Sequence, residues 1–143
     1  MKVKIETIYK PDLSTLRELP YFEAKVPAGF PSPAADYEEN QLDLNTHLIK
    51  NPAATFFVRV SGDSMIGAGI HDGDLLIVDR AIDPKDKNVV IAVIDGELTV
   101  KRIRIRRQKI TLEAENINYA SKEVREEADF QVWGVVTNVI HSL

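Results

Sequence analysis

The sequence contains no cysteine, which excludes a disulfide framework, thiolate nucleophiles and cysteine-ligated metals. Its three histidines, His47, His71 and His141, are scattered without paired spacing, so no metal and no cofactor is expected. No apolar run approaches the roughly 20 residues that a membrane span needs. The opening residues Met1-Lys2-Val3-Lys4-Ile5-Glu6 lack the continuous apolar core of a secretory signal. Basic excess is missing as well. With 18 Lys+Arg against 22 Asp+Glu the net charge is −4, whereas a generic nucleic-acid coat requires a strong positive field. Internal repeats and low-complexity tracts are also absent.

What is present fits one globular domain with room for a core: 44% of residues are hydrophobic and 28% charged, an ordinary balance. Proline is distributed unevenly. Pro11, Pro20, Pro27, Pro31 and Pro33 all precede residue 41. Proline lacks the backbone donor and restricts the residue before it, so residues 1–40 are read as an extended N-terminal arm. Within it, Leu13 to Leu19 predicts a turn or two of helix, stopped by Pro20. Ala28-Gly29 is the least hindered peptide bond there, set between the bulkier Val26-Pro27 and Phe30-Pro31. Small side chains on extended backbone are what a protease cleft accepts, and a plain proline-rich linker is the alternative.

Residues 41–143 read as a mainly β domain. Leu44, Leu48 and Ile49 have helical spacing, with Asp43 as N-cap and Asn51-Pro52 as the stop. His47 faces away from that stripe and is expected at the surface. Strands are then expected over 55–60, 74–79, 88–94, 97–106, 109–114 and 130–140, with Asp95-Gly96 as a hairpin turn between the third and fourth. Short strands joined by turns without intervening helices imply an antiparallel sheet curled into a small barrel or sandwich.

Two residues stand out chemically. Ser64 follows the first of these strands through Gly62-Asp63, where the backbone changes direction. A hydroxyl at such a turn can be exposed with its own N–H turned into the same space, as a nucleophile with an oxyanion donor requires. A serine needs a base. Alternation along 97–106 puts Lys101 with Thr99, Ile103 and Ile105, apart from Arg102, Arg104 and Arg106. A lysine held against isoleucines is poorly solvated as a cation, which favours the neutral amine able to take a proton from serine. A lysine reaching out to solvent is the commoner role for such a residue. A Ser-His-Asp set from Ser64, His71 and Asp72 or Asp74 would need three catalytic groups to converge on one short loop. The arginine run could contact phosphates, or form a solvated face.

The combination of Ala28-Gly29, Ser61-Gly62-Asp63-Ser64-Met65 and Glu97-Leu98-Thr99-Val100-Lys101 resembles the LexA/UmuD family of self-cleaving Ser-Lys peptidases. The segments 30–37 and 72–79 resemble the UmuD branch of it more than the LexA branch, and the likeness covers nearly all of the chain beyond about residue 20. UmuD proteins often carry cysteine before the cleaved bond, where this chain has Ala28, as LexA-type repressors do. The resemblance implies catalysis by Ser64 and Lys101, cleavage at Ala28-Gly29, and a cytoplasmic homodimer of the bacterial response to DNA damage. It implies as partners a RecA filament on single-stranded DNA and a UmuC-type translesion polymerase. Only 28 residues precede Gly29, too few for a helix-turn-helix domain, so no sequence-specific DNA binding is expected. The competing readings are a non-catalytic polymerase or filament adaptor and a LexA-like repressor fragment.

Overall fold

β-Branched runs alternating in polarity fold here as strands, because one face of each can be buried while the other meets solvent. The structure, a computed structural model, describes residues 3–22, 39–125 and 128–143. The strands are β1 Lys4–Tyr9, β2 Glu18–Phe22, β3 Glu39–Asp43, β4 Thr55–Ser61, β5 Leu75–Asp79, β6 Val89–Ile94, β7 Glu97–Arg106, β8 Lys109–Glu113, β9 Lys122–Glu123 and β10 Phe130–Ile140. Eight of them form one antiparallel sheet in the order β1-β4-β5-β10-β6-β7-β8-β9, and β2 pairs with β3 as a separate ribbon. All six expected strands are present, and the sheet is curled as expected. Among the described residues no helix is long and apolar enough to cross a membrane.

The chain divides into two units, residues 12–50 and residues 1–11 with 51–143. In the smaller, Asp43 caps the short helix α1, Leu44–Leu48. One carboxylate oxygen accepts the Arg17 N–H at 2.8 Å, and the other accepts the Thr46 N–H and hydroxyl at 2.9 and 2.8 Å. These bonds, that from Arg17 foremost, hold the Asp43 carboxyl below its ordinary range. The helical turn expected over 13–19 does not form. Asp12 instead accepts both the N–H and the hydroxyl of Ser14, a local bond that competes with helix, and the chain then extends as β2. Pro20 lies within β2, opposite Gln41. A two-stranded ribbon leaves each strand an unpaired side, where proline is tolerated.

In the larger unit the sheet buries two apolar clusters. One gathers Val58, Val60, Met65, Leu76, Val78 and Ile91, and the other Val90, Ala92, Ile103, Leu112 and Val135. β6 feeds both by strict alternation, Ile91 to one and its neighbours to the other. β1 is the strand that the sequence reading did not find. It pairs with β4 from Lys4 opposite Ser61 to Tyr9 opposite Phe57. The Asp95-Gly96 turn has φ of 48° and 82°, as a tight right-twisting hairpin requires.

β10 lies near the middle of the sheet and breaks register with both neighbours, against β6 between Val132 and Gly134 and against β5 between Val136 and Asn138. Such irregularities increase local twist and bend the strand. Gly134 sits at one of them because there is no space for more. A Cβ there would lie 2.6 Å from Val78 Cγ1 and 3.3 Å from Arg80 Cγ. Val78 is fully buried and β-branched, so it cannot turn away cheaply. Gly134→Ala should therefore cost about 1–3 kcal/mol. It should be read as a lower urea midpoint with unchanged slope, and an unaltered midpoint would contradict this packing.

Candidate active site

β4 ends at Ser61, and the chain turns through Gly62 at φ 101°, a conformation that glycine adopts without strain. The Gly62 N–H donates to Asp72 Oδ1 at 2.8 Å. Ser64 and Met65 follow, both with no exposed surface. Residues 66–68 make one 3-10 turn, and the Gly67 N–H donates to the Glu115 carbonyl at 2.6 Å. The Asn116 side-chain amide donates to the Asp63 carbonyl at 2.9 Å, and the Tyr119 hydroxyl to Asp63 Oδ1 at 2.8 Å. Burial, and after it the Asp63 carboxylate, pushes the Tyr119 hydroxyl up from its ordinary value, so it remains a donor. The Ser64 loop is thus fastened to Asp72 at one end and to the segment 115–119 along its length.

Lys101 stands on β7 opposite Val90 and is half-buried. It lines a cavity of about 410 Å³ together with Val3, Lys4, Leu98, Thr99 and Leu112. The adjacent Arg102 pairs through Nε with Glu115 and donates from Nη1 to the Lys87 carbonyl at 2.6 Å. Arg104 pairs with Glu113 at 2.9 Å. Two of the arginines that might have offered a phosphate surface are therefore engaged with glutamates. The Arg102–Glu115 pair has a second effect. It braces the strand that carries Lys101 against the residue that anchors the Ser64 loop.

The expectation of an exposed Ser64 hydroxyl is not met. The backbone N–H of Val3 donates to Ser64 Oγ at 2.8 Å, and Val3, 3% exposed, closes over it. The same Val3 lines the cavity that Lys101 lines, so the residue bonded to Ser64 borders the space that holds the expected base. Sequence reasoning missed this because the pairing joins segments about fifty residues apart and β1 carries no strong strand signal. Ala28 and Gly29 lie outside the described residues. The polar contacts of His71 run to Asp74 and not to Ser64. The His71 N–H donates to Asp74 Oδ2 at 2.7 Å, and His141 Nδ1 lies 2.6 Å from Asp74 Oδ1. Two of the three histidines, scattered in sequence, are therefore neighbours in the fold.

Comparison with known proteins shows the family. A family profile described as Peptidase S24-like matches residues 20–137. The chain is 51% identical to Protein SamA of Salmonella typhimurium over 122 residues, covering 85% of this chain and 84% of that protein. It is 36% identical to Protein MucA of Escherichia coli over 144 residues, covering 99% and 94%. It is also 38% identical to the LexA repressor of Xylella fastidiosa over 116 residues, covering 81% of this chain and 54% of the repressor.

The fastening of the Ser64 loop can be tested at Gly67. An added Cβ would meet the Glu115 carbonyl oxygen at 2.7 Å, backbone against backbone, with no rotamer to relieve it. Gly67→Ala should lose the bond to Glu115 and cost about 1–3 kcal/mol. Amide exchange should quicken over residues 63–70 while β5 and β6 keep their protection. Unchanged exchange at Gly67 would show that the loop is held elsewhere.

Proposed function

The chain belongs to the Peptidase S24-like family, and from that premise we propose that it is a self-cleaving serine peptidase in which Ser64 cuts its own chain at Ala28-Gly29 with Lys101 as base. One observation carries this reading: an extended backbone already lies against Ser64 Oγ, its N–H bonded there, beside the cavity that Lys101 lines. A site that seats an extended peptide at a serine, with an amine nearby and an apolar wall, is suited to acyl transfer.

The chemistry proceeds in two stages. Neutral Lys101 takes the Ser64 proton as Oγ attacks the Ala28 carbonyl carbon, and the carbonyl oxygen becomes an oxyanion. The donors we assign to it are the backbone N–H groups of Ser64 and Met65, because those of Ile66, Gly67 and Ala68 are spent on the Asp63, Glu115 and Met65 carbonyls. The C–N bond breaks, the Lys101 ammonium returns its proton to the leaving amine of Gly29, and residue 28 remains esterified to Ser64. Water, deprotonated by Lys101, then attacks the ester and frees Ser64.

The biological setting follows from the family likeness. We assign the protein to the cytoplasmic SOS response as a homodimer. Its cleavage is promoted by RecA filaments on single-stranded DNA, and its shortened form acts with a UmuC-type translesion polymerase. The adaptor reading requires no chemistry at Ser64, so self-cleavage separates it from this one.

Ser64→Ala should reduce self-cleavage on the order of 10³-fold or more. Because Ser64 Oγ accepts the buried Val3 N–H, the same change should also cost about 1–3 kcal/mol of stability. Lys101→Arg should be inactive at every pH at which the wild type cuts, since a guanidinium stays protonated, while the wild-type rate should rise with pH as the amine loses its proton. Mass spectrometry of purified chains incubated from pH 6 to 11 reads both. Cleavage persisting in either variant would remove that residue from the mechanism.

A further inference from the structure

We propose that His71, Asp74 and His141 form a binding site for a divalent transition metal, zinc by the chemistry of the donors. His71 and Asp74 stand on the turn into β5, and His141 follows the last residue of β10. These strands pair with Ile140 opposite Leu75, so their ends deliver all three side chains to one point. Asp74 is 2% exposed. Its Oδ1 lies 2.6 Å from His141 Nδ1, and its Oδ2 lies 3.8 Å from His71 Nδ1, with the two imidazole centroids 4.7 Å apart. His71 Nδ1 is a buried atom without a hydrogen-bond partner among the described residues. Such a nitrogen costs free energy in a closed network and gains a partner from a cation held between it, the carboxylate and His141.

Two imidazoles and one carboxylate suit zinc, whereas magnesium and calcium take oxygen ligands. The donor atoms lie within 4.8 Å of one another. Ligands about 2.0–2.2 Å from one tetrahedral zinc stand about 3.3 Å apart, so closing the site needs movements of about 1.5 Å. The rings are 44% and 43% exposed and can turn that far. Each histidine would ligate through Nδ1 with its proton on Nε2, and water would take the fourth position. The metal would tie the turn beyond the Ser64 loop to the end of β10.

Chelator-treated full-length chain should bind one zinc ion in calorimetric titration. His71→Gln and His141→Gln should each weaken that binding by about tenfold or more, while His47→Gln should leave it unchanged. Zinc should also raise the melting temperature of the wild type and not of the two variants. Equal zinc binding by the wild type and the His71→Gln, His141→Gln double variant would overturn the site, as would a loss of binding in His47→Gln.

A different contact carries a second inference, which rests on reading Ser64 as the nucleophile. We infer that residues 3–9 are a resident inhibitor of that site. β1 occupies the side of β4 that faces away from β5, and the chain running on from Lys4 brings the Val3 N–H onto Ser64 Oγ. That bond engages a lone pair of Ser64 Oγ, and Val3, itself buried, borders the cavity that Lys101 lines. An extended substrate segment reaches Ser64 only once Val3 has left it. Val3→Pro removes the capping N–H within a whole chain, and removal of residues 2–9 clears the β4 edge. Each should raise the self-cleavage rate at fixed alkaline pH by about tenfold, because the competent fraction increases. An unchanged or slower rate in folded Val3→Pro protein, with the wild type cutting normally, overturns the inhibitor alone. Absence of cutting in all three chains would sink the Ser64 reading, and this inference with it.

Discussion

Curvature is the constraint on which the proposed Ser64–Lys101 pair depends. Ser64 leaves the end of β4 and Lys101 sits on β7, with β5, β10 and β6 between them in the sheet. At about 4.8 Å per strand spacing, a flat sheet would hold β4 and β7 about 19 Å apart, far beyond the reach of a lysine. β1, the far neighbour of β4, nonetheless contacts β7, so the sheet has curled round on itself. The two register breaks of β10 lie midway along that path, one against each neighbour. Gly134 and its close approach to Val78 thus belong to the curl that the proposed site requires.

A second requirement is that the loop bearing Ser64 be held in place. Apolar burial of Met65 and Ile70 supplies the adhesion. Direction comes from polar bonds to fixed points: Gly62 to Asp72, Gly67 to Glu115, and Asp63 to Asn116 and Tyr119. Glu115 matters most among these because it also pairs with Arg102. The residue beside Lys101 therefore has a structural link to the loop of Ser64, and a disturbance at one is felt at the other.

Much of this was legible in the residues. Alternation and the Asp95-Gly96 turn marked the six principal strands, and Asp43 marked the start of α1, because these signals are local. A turn after a strand and a lysine among isoleucines drew attention to Ser64 and Lys101, but only the family resemblance gave them catalytic roles. What could not be read depended on distant partners. β1 is a largely exposed strand of mixed polarity, recognisable only through its pairing with β4. β2 passes through a proline and exists because β3 lies opposite. The burial of Ser64 requires Val3, and the meeting of His71 with His141 requires the pairing of β5 with β10.

The two margins of the eight-stranded sheet are protected differently. At one, β9 is only two residues long and both are charged, Lys122 and Glu123, which gives another chain little to pair with. At the other, the guard is β1 itself, carrying Lys4 and Glu6 on its exposed surface. Beneath it lies β4, Thr-Phe-Phe-Val-Arg-Val-Ser, with two aromatic residues and only one charge in its seven. Were β1 to lift away, the molecule would exchange a soluble margin for an adhesive one whose unpaired backbone groups can take up any extended strand of suitable register.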